Sequence, residues 1–193
     1  MLLVSGAWLE SRLRDPGLRI VDASWYLPAQ ARDARAEYAA SHVPGAIYLD
    51  LSSDLADLRA PLRNTVASPD AIAEAFASHG IGSEHAIVVY DRLGGYSAGR
   101  VWWTLRYAGH DRVSLLDGGF ARWVAEARPV SAQVPRFARA QFVARPRVEL
   151  VRGKADVLRS IADDSAQLVD ARSAARFRGE GEEHTRHKGH IPG

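Results

Sequence analysis

Ala86-Ile87-Val88-Val89-Tyr90, followed at once by Asp91-Arg92-Leu93-Gly94-Gly95-Tyr96, decides the fold of this chain. The first five residues are apolar and three are β-branched, which makes this the strongest strand in the sequence. A glycine-bearing loop follows. Val101, Trp102, Leu105 and Arg106 then fall at helical spacing. Strand, loop and helix in that order is the building block of a parallel sheet.

The same alternation extends in both directions. Ser5 to Arg14 places Trp8, Leu9 and Leu13 on one helical face, and Leu18 to Ala23 reads as a buried strand. Asp33 to Ser41 is a short helix and Ala46 to Leu49 a short strand. Ser68-Pro69-Asp70 has the cap, the first-turn proline and the first-turn acid of a helix start, and that helix stops at Gly80. Val113 to Leu116 is a further strand, and Gly119 to Ala127 a helix with Phe120 and Trp123 facing inward. The predicted fold is α/β, a doubly wound parallel sheet with helices on both faces.

From Arg128 to Arg147 the periodicity is lost and three prolines appear, at 129, 135 and 146. This stretch reads as a linker that packs on the surface through Phe137 and Phe142. Beyond it the chain begins again. Ile20-Val21-Asp22-Ala23 recurs as Leu168-Val169-Asp170-Ala171, and His42-Val43-Pro44-Gly45 as His190-Ile191-Pro192-Gly193, both at an offset of 148 residues with no gap between them. Two matches in register point to a duplicated domain. The predicted organisation is a first domain over 1–127, a linker over 128–147 and an incomplete second copy over 148–193, containing one helix, one strand and a turn.

The chain has 193 residues, a formal charge of +2 and no cysteine. Without cysteine there is no disulfide, no thiolate metal site and no thiol nucleophile. Arginine supplies nearly all the positive charge, but it alternates with acids, so no nucleic-acid face is expected. No apolar run is long enough to cross a membrane, and no basic leader precedes the first apolar residues, so the expected compartment is the cytoplasm. His184, His187 and His190 fall three apart but lack an ordered acid pair or thiolate beside them, and neither metal nor cofactor is expected.

Asp22-Ala23-Ser24-Trp25-Tyr26-Leu27-Pro28, His42-Val43-Pro44-Gly45-Ala46, Tyr96-Ser97-Ala98 with Arg100-Val101-Trp102-Trp103, and Leu116-Asp117-Gly118-Gly119-Phe120 occur in the order in which similar runs occur in tandem-domain sulfurtransferases of the rhodanese type. The chain resembles the thiosulfate and 3-mercaptopyruvate sulfurtransferases from about Leu3 to Gly193. The resemblance implies a cysteine at the end of the central strand of the second domain. That thiol sits in a loop of inward-pointing N–H groups and carries sulfur as a persulfide from a small anionic donor to cyanide or a thiol.

In the first domain the resemblance puts Asp91 in the cysteine's place, with Arg92, Leu93, Gly94, Gly95 and Tyr96 as the inactive-site loop. A carboxylate cannot become a persulfide, and it repels an anionic donor by about 4 kcal/mol at ~4 Å and an effective dielectric near ~20. Arg176 and Arg186 resemble the two arginines that hold the donor. Ser52 and Asn64 depart from the mercaptopyruvate branch, where an acid and a histidine are expected. The implied protein is a truncated sulfurtransferase, inactive as this chain alone, with a dimer through the incomplete second domain as one way of covering it. The alternative is a non-catalytic rhodanese-like interaction or anion-binding module.

Overall fold

A computed structural model describes residues 2–163, 165–180 and 188–192. The chain divides into two units, Met1–Val148 and Glu149–Gly193. Unit 1 contains strands β1 (Leu3–Val4), β2 (Leu18–Asp22), β3 (Ala46–Tyr48), β4 (Ala86–Tyr90) and β5 (Val113–Leu116). Its helices are α1 (Gly6–Glu10), α2 (Ala34–Ala40), α3 (Pro69–Ser78), α4 (Ala98–Tyr107) and α5 (Gly119–Ala125). The strands form one sheet in the order β1-β5-β4-β2-β3, and every pairing is parallel. This is the doubly wound α/β architecture.

Alternation along the strands divides the core in two. Val21, Ile87 and Val89 face one side of the sheet, where they meet Ile72 and Phe76 of α3 and Val101 and Leu105 of α4. Leu18, Ile20, Val88 and Tyr90 face the other side, against Leu9 of α1, Tyr38 of α2, and Phe120 and Trp123 of α5. Both faces of β2 and β4 are therefore covered, which is why these strands carry no polar residue before their last positions, apart from Arg19.

In unit 1 two elements differ from the sequence reading. The first helix is shorter than Ser5 to Arg14 and ends at Glu10. There the Ser11 hydroxyl donates to the Trp8 carbonyl (2.8 Å), and Pro16 comes after the turns. A hydroxyl that bonds back onto the preceding turn competes with the helix ladder. The edge strand β1 has only two residues, too few for periodicity to reveal, yet Val4 enters the core and both residues pair with β5.

The proline-bearing stretch 128–147 lies along unit 1. Its Pro129 carbonyl accepts from Trp123 Nε1 (2.7 Å), Ser131 pairs with His42 through both backbone groups, and Phe142 is buried against Phe76. Phe137 lies under the Arg19 guanidinium and is partly exposed.

Unit 2 has helices α6 (Lys154–Asp163) and α7 (Ala174–Phe177), and none of its described residues is buried. The predicted strand Leu168–Ala171 is not formed: the segment pairs with no strand among the described residues and Val169 is 81% exposed. Its counterpart β2 is a strand because β3 and β4 flank it, and the described part of unit 2 supplies no such neighbours.

The repeat is also not gapless. In unit 1 the His42 ring stacks on Tyr38 (4.2 Å) and its Nδ1 meets the Tyr38 carbonyl (2.7 Å). In unit 2 the His190 ring stacks on Phe177 (3.8 Å) and its Nδ1 meets the Phe177 carbonyl (2.9 Å). Phe177 thus plays the part of Tyr38, although it stands far closer to Asp170 than Tyr38 does to Asp22. A shortening before the aromatic residue and an equal lengthening after it cancel at the histidine.

Leu105 has no exposed surface. Leu105→Ala is expected to cost about 2–5 kcal/mol, the range for a large-to-small change in a packed core. Urea denaturation reads this directly, and a cost below about 1 kcal/mol would show that the α4 face of the sheet is not packed as described.

Candidate functional site

The chain leaves the sheet centre in opposite directions after β2 and β4. From β2 it moves outward to β3, and from β4 it moves the other way to β5. Adjacent strands that diverge in this way open a crevice at their carboxyl ends, the usual ligand position in such sheets. Asp22 closes β2 there, and Asp91 comes directly after Tyr90, the last residue of β4.

Asp91 is fully buried and its carboxylate fills the loop that it opens. Oδ1 accepts from the backbone N–H groups of Leu93 and Gly95 (2.8 Å each). Oδ2 accepts from those of Ser97 (2.7 Å) and Ala98 (2.8 Å), with the Ser97 hydroxyl at 3.3 Å. Gly94 and Gly95 have φ of 70° and 103°, backbone states that turn successive N–H groups inward. Ser97 and Ala98 open α4, whose own N-cap side chain makes no capping bond, so Asp91 caps this helix from the strand end.

The other groups of the loop are also engaged. The Asp91 carbonyl accepts from the Phe120 N–H (2.9 Å) at the start of α5. Gly119, with φ of 57°, allows that approach, because a Cβ there would lie 2.5 Å from the same carbonyl oxygen. Arg92 turns inward over the Phe120 ring (4.0 Å) and donates to the Glu37 and Ser41 carbonyls at the end of α2. Tyr96 is 59% exposed.

Beneath the loop, Asp22 accepts from the Ser24 N–H (2.9 Å) through Oδ1, while its buried Oδ2 lacks a hydrogen-bond partner. Burial pushes its carboxyl pKa up, and Ser24, Tyr90 and Arg92 only partly oppose this. Burial also raises the Tyr90 phenol well above its usual value.

The structure therefore gathers Asp91, Arg92, Leu93, Gly94, Gly95 and Tyr96 into one loop. Arg176 lies in α7 of unit 2, and Arg186, with His184 and His187, lies outside the described residues. Asn64 holds a left-handed backbone (φ 58°), and its side-chain oxygen is 3.4 Å from the Ser52 hydroxyl. Sequence reasoning misses Ser97, Gly119 and Glu37 as partners of the loop. The Gly118-Gly119 pair straight after a strand is the available signal for a close backbone approach.

Asp91→Ala removes the acceptor of two buried and two partly buried N–H groups. It is expected to cost about 3 kcal/mol or more by thermal or urea denaturation, with Asp91→Asn costing less because one acceptor oxygen remains. A loss under about 1 kcal/mol would mean that the loop holds without the carboxylate. Asp22 predicts a pH effect on stability. A raised carboxyl pKa means that the fold favours the protonated form, so the stabilisation is complete in acid and is lost as pH rises through the folded-state value. Asp22→Asn is expected to gain stability relative to the wild type between acid and neutral pH. A stability difference that does not change with pH would contradict this.

A family model described as rhodanese-like domain matches residues 5–126. The chain is 38% identical to rat 3-mercaptopyruvate sulfurtransferase over 199 residues, covering 99% of this chain and 67% of the relative. It is 39% identical to bovine thiosulfate sulfurtransferase, covering 92% of this chain and 61% of the relative. Among solved structures, SseA from Escherichia coli, described among the 3-mercaptopyruvate sulfotransferases, superposes with a TM-score of 0.92 at 34% identity, covering 100% of this chain and 73% of that one. The chain spans about two thirds of the length of these relatives. With the parallel sheet and the loop at its switch point, these matches place the chain in the rhodanese family, among the thiosulfate and 3-mercaptopyruvate sulfurtransferases.

Proposed function

We propose that this chain is a non-catalytic part, the first domain and the start of the second, of a sulfurtransferase that moves sulfane sulfur from thiosulfate or 3-mercaptopyruvate to cyanide or a thiol. Sulfur passes through a persulfide on a cysteine outside this sequence. With thiosulfate, the thiolate attacks the outer sulfur, the sulfur–sulfur bond breaks, sulfite leaves with the electron pair, and the persulfide then gives its sulfur to the acceptor. Arg176 and Arg186 hold the anionic donor, since a guanidinium fork matches a carboxylate or a thiosulfonate.

One observation supports the silence of unit 1. The cradle that would hold a reactive sulfur is filled by the Asp91 carboxylate, which uses four of its N–H groups. The chain has no cysteine to take over the role. The purified chain is expected to form no thiocyanate from thiosulfate and cyanide, and no pyruvate from 3-mercaptopyruvate, above a protein-free blank. Turnover, or an intact mass increased by one sulfur atom after exposure to donor, would overturn this.

A second reading, a rhodanese-like interaction or anion-binding module, is favoured by the completeness of unit 1, whose sheet is covered on both faces while unit 2 buries no described residue. Limited proteolysis is expected to leave a resistant core ending near Arg147 and to remove the residues C-terminal to it. Uniform resistance would show that unit 2 is covered, as a dimer through it would achieve.

A further inference from the structure

Arg100 is a cation that the fold places at a cost. It stands in the first turn of α4, at the positive end of the helix dipole, where cations are disfavoured. It is partly buried, and burial lowers its pKa with no carboxylate acting in the other direction. Several other partly buried arginines lie beside an acid, while Arg19, like Arg100, is held by carbonyls and an aromatic ring. Arg92 lies 3.7 Å from Glu37, Arg128 2.7 Å from Glu126, Arg147 2.6 Å from Asp111 and Arg172 2.6 Å from Asp170.

Arg100 has two neutral neighbours instead. Its Nη2 donates to the Asn64 carbonyl (2.9 Å), and its guanidinium lies over the Trp103 ring (4.9 Å). Its Nε and Nη1 have no hydrogen-bond partner among the described residues and are not sealed from solvent. The carbonyl that anchors it belongs to Asn64, which is held in the left-handed region beside Ser52. A partly buried guanidinium, held at one end by a carbonyl and on one face by an indole, is preorganised to accept an anion at its remaining edge.

We propose that Arg100 anchors a binding site for a small oxyanion, a carboxylate or a sulfur oxyanion, on unit 1 beside the Asn64 turn. The site does not depend on the sulfur-transfer reading, because it requires neither a thiol nor a covalent step.

The test is calorimetric titration of the full chain with sodium thiosulfate and with sodium pyruvate, each against sodium chloride at equal ionic strength. Saturable binding of at least one of them is expected, and the one that binds identifies the chemistry. Arg100→Gln is expected to weaken that binding about tenfold or more, and Arg100→Lys, which keeps the charge and loses the fork, by several-fold. Absence of saturable binding to either anion, or unchanged affinity in Arg100→Gln with an unchanged circular dichroism spectrum, would overturn the proposal. If Arg100→Gln does not fold, Arg100→Lys decides: unchanged affinity in that variant overturns the site. Sulfur transfer is read separately, by product formation and intact mass, so either conclusion can fail alone.

Discussion

One residue at the end of the central strand holds the middle of unit 1 together. The Asp91 side chain gathers the N–H groups of its own loop and of the first residues of α4, while its carbonyl receives the first N–H group of α5 after Gly119. Two helices on opposite faces of the sheet thus begin on the same residue. Buried amides in a tight loop must find acceptors, and little backbone is within reach here. The Asp91 side chain supplies two oxygens, each of which accepts from two of these N–H groups. Arg92 adds an outer tie by fastening the loop to the end of α2, and Glu37 of that helix is in turn bonded to Arg32 and Tyr26. The loop is therefore held by its own side chains and needs no ligand.

The same arrangement leaves the crevice with few free backbone donors for a dissolved anion. The position at the carboxyl end of β4 is where this architecture offers backbone dipoles to a substrate. A tethered carboxylate occupies them at an effective concentration that a dissolved anion cannot match. Anion recognition elsewhere on unit 1 must use side chains, and Arg100 combines a helix-start position with donors left over after the Asn64 carbonyl.

Four of the five parallel strands were legible because the central ones are covered on both faces and are therefore written as largely apolar runs, whereas the two-residue β1 was not. Ile20-Val21 and Ile87-Val88-Val89 need no alternation to be recognised. Asp91 was legible as the residue that ends the central strand because it comes directly after such a run, and the resemblance to the sulfurtransferases put it in the cysteine's place. The contacts that hold the loop were less visible. Ser97 donates through its backbone, which any residue could do, and Gly119 matters for the Cβ it lacks. Arg100 was visible only as part of a family run, since its lack of a counter-charge depends on which residues the fold leaves out of reach.

Asp22 and Asp170 separate what a short repeat encodes locally from what it does not. Each accepts the N–H two residues ahead at 2.9 Å, from Ser24 and from Arg172, so the turn itself is reproduced in both copies. Their electrostatics are opposite. Asp22 is buried beside a phenol, and burial drives its pKa up, whereas Asp170 is held down to about 2 by its bonds to Arg172. The strand preceding each aspartate obeys the same division: Ile20–Asp22 is a strand between two partners, and Leu168–Asp170 remains unpaired. An aspartate turn needs only its own three residues and forms wherever they occur. A parallel strand, and the buried carboxylate at its end, exist only once neighbours far away in sequence have closed over them.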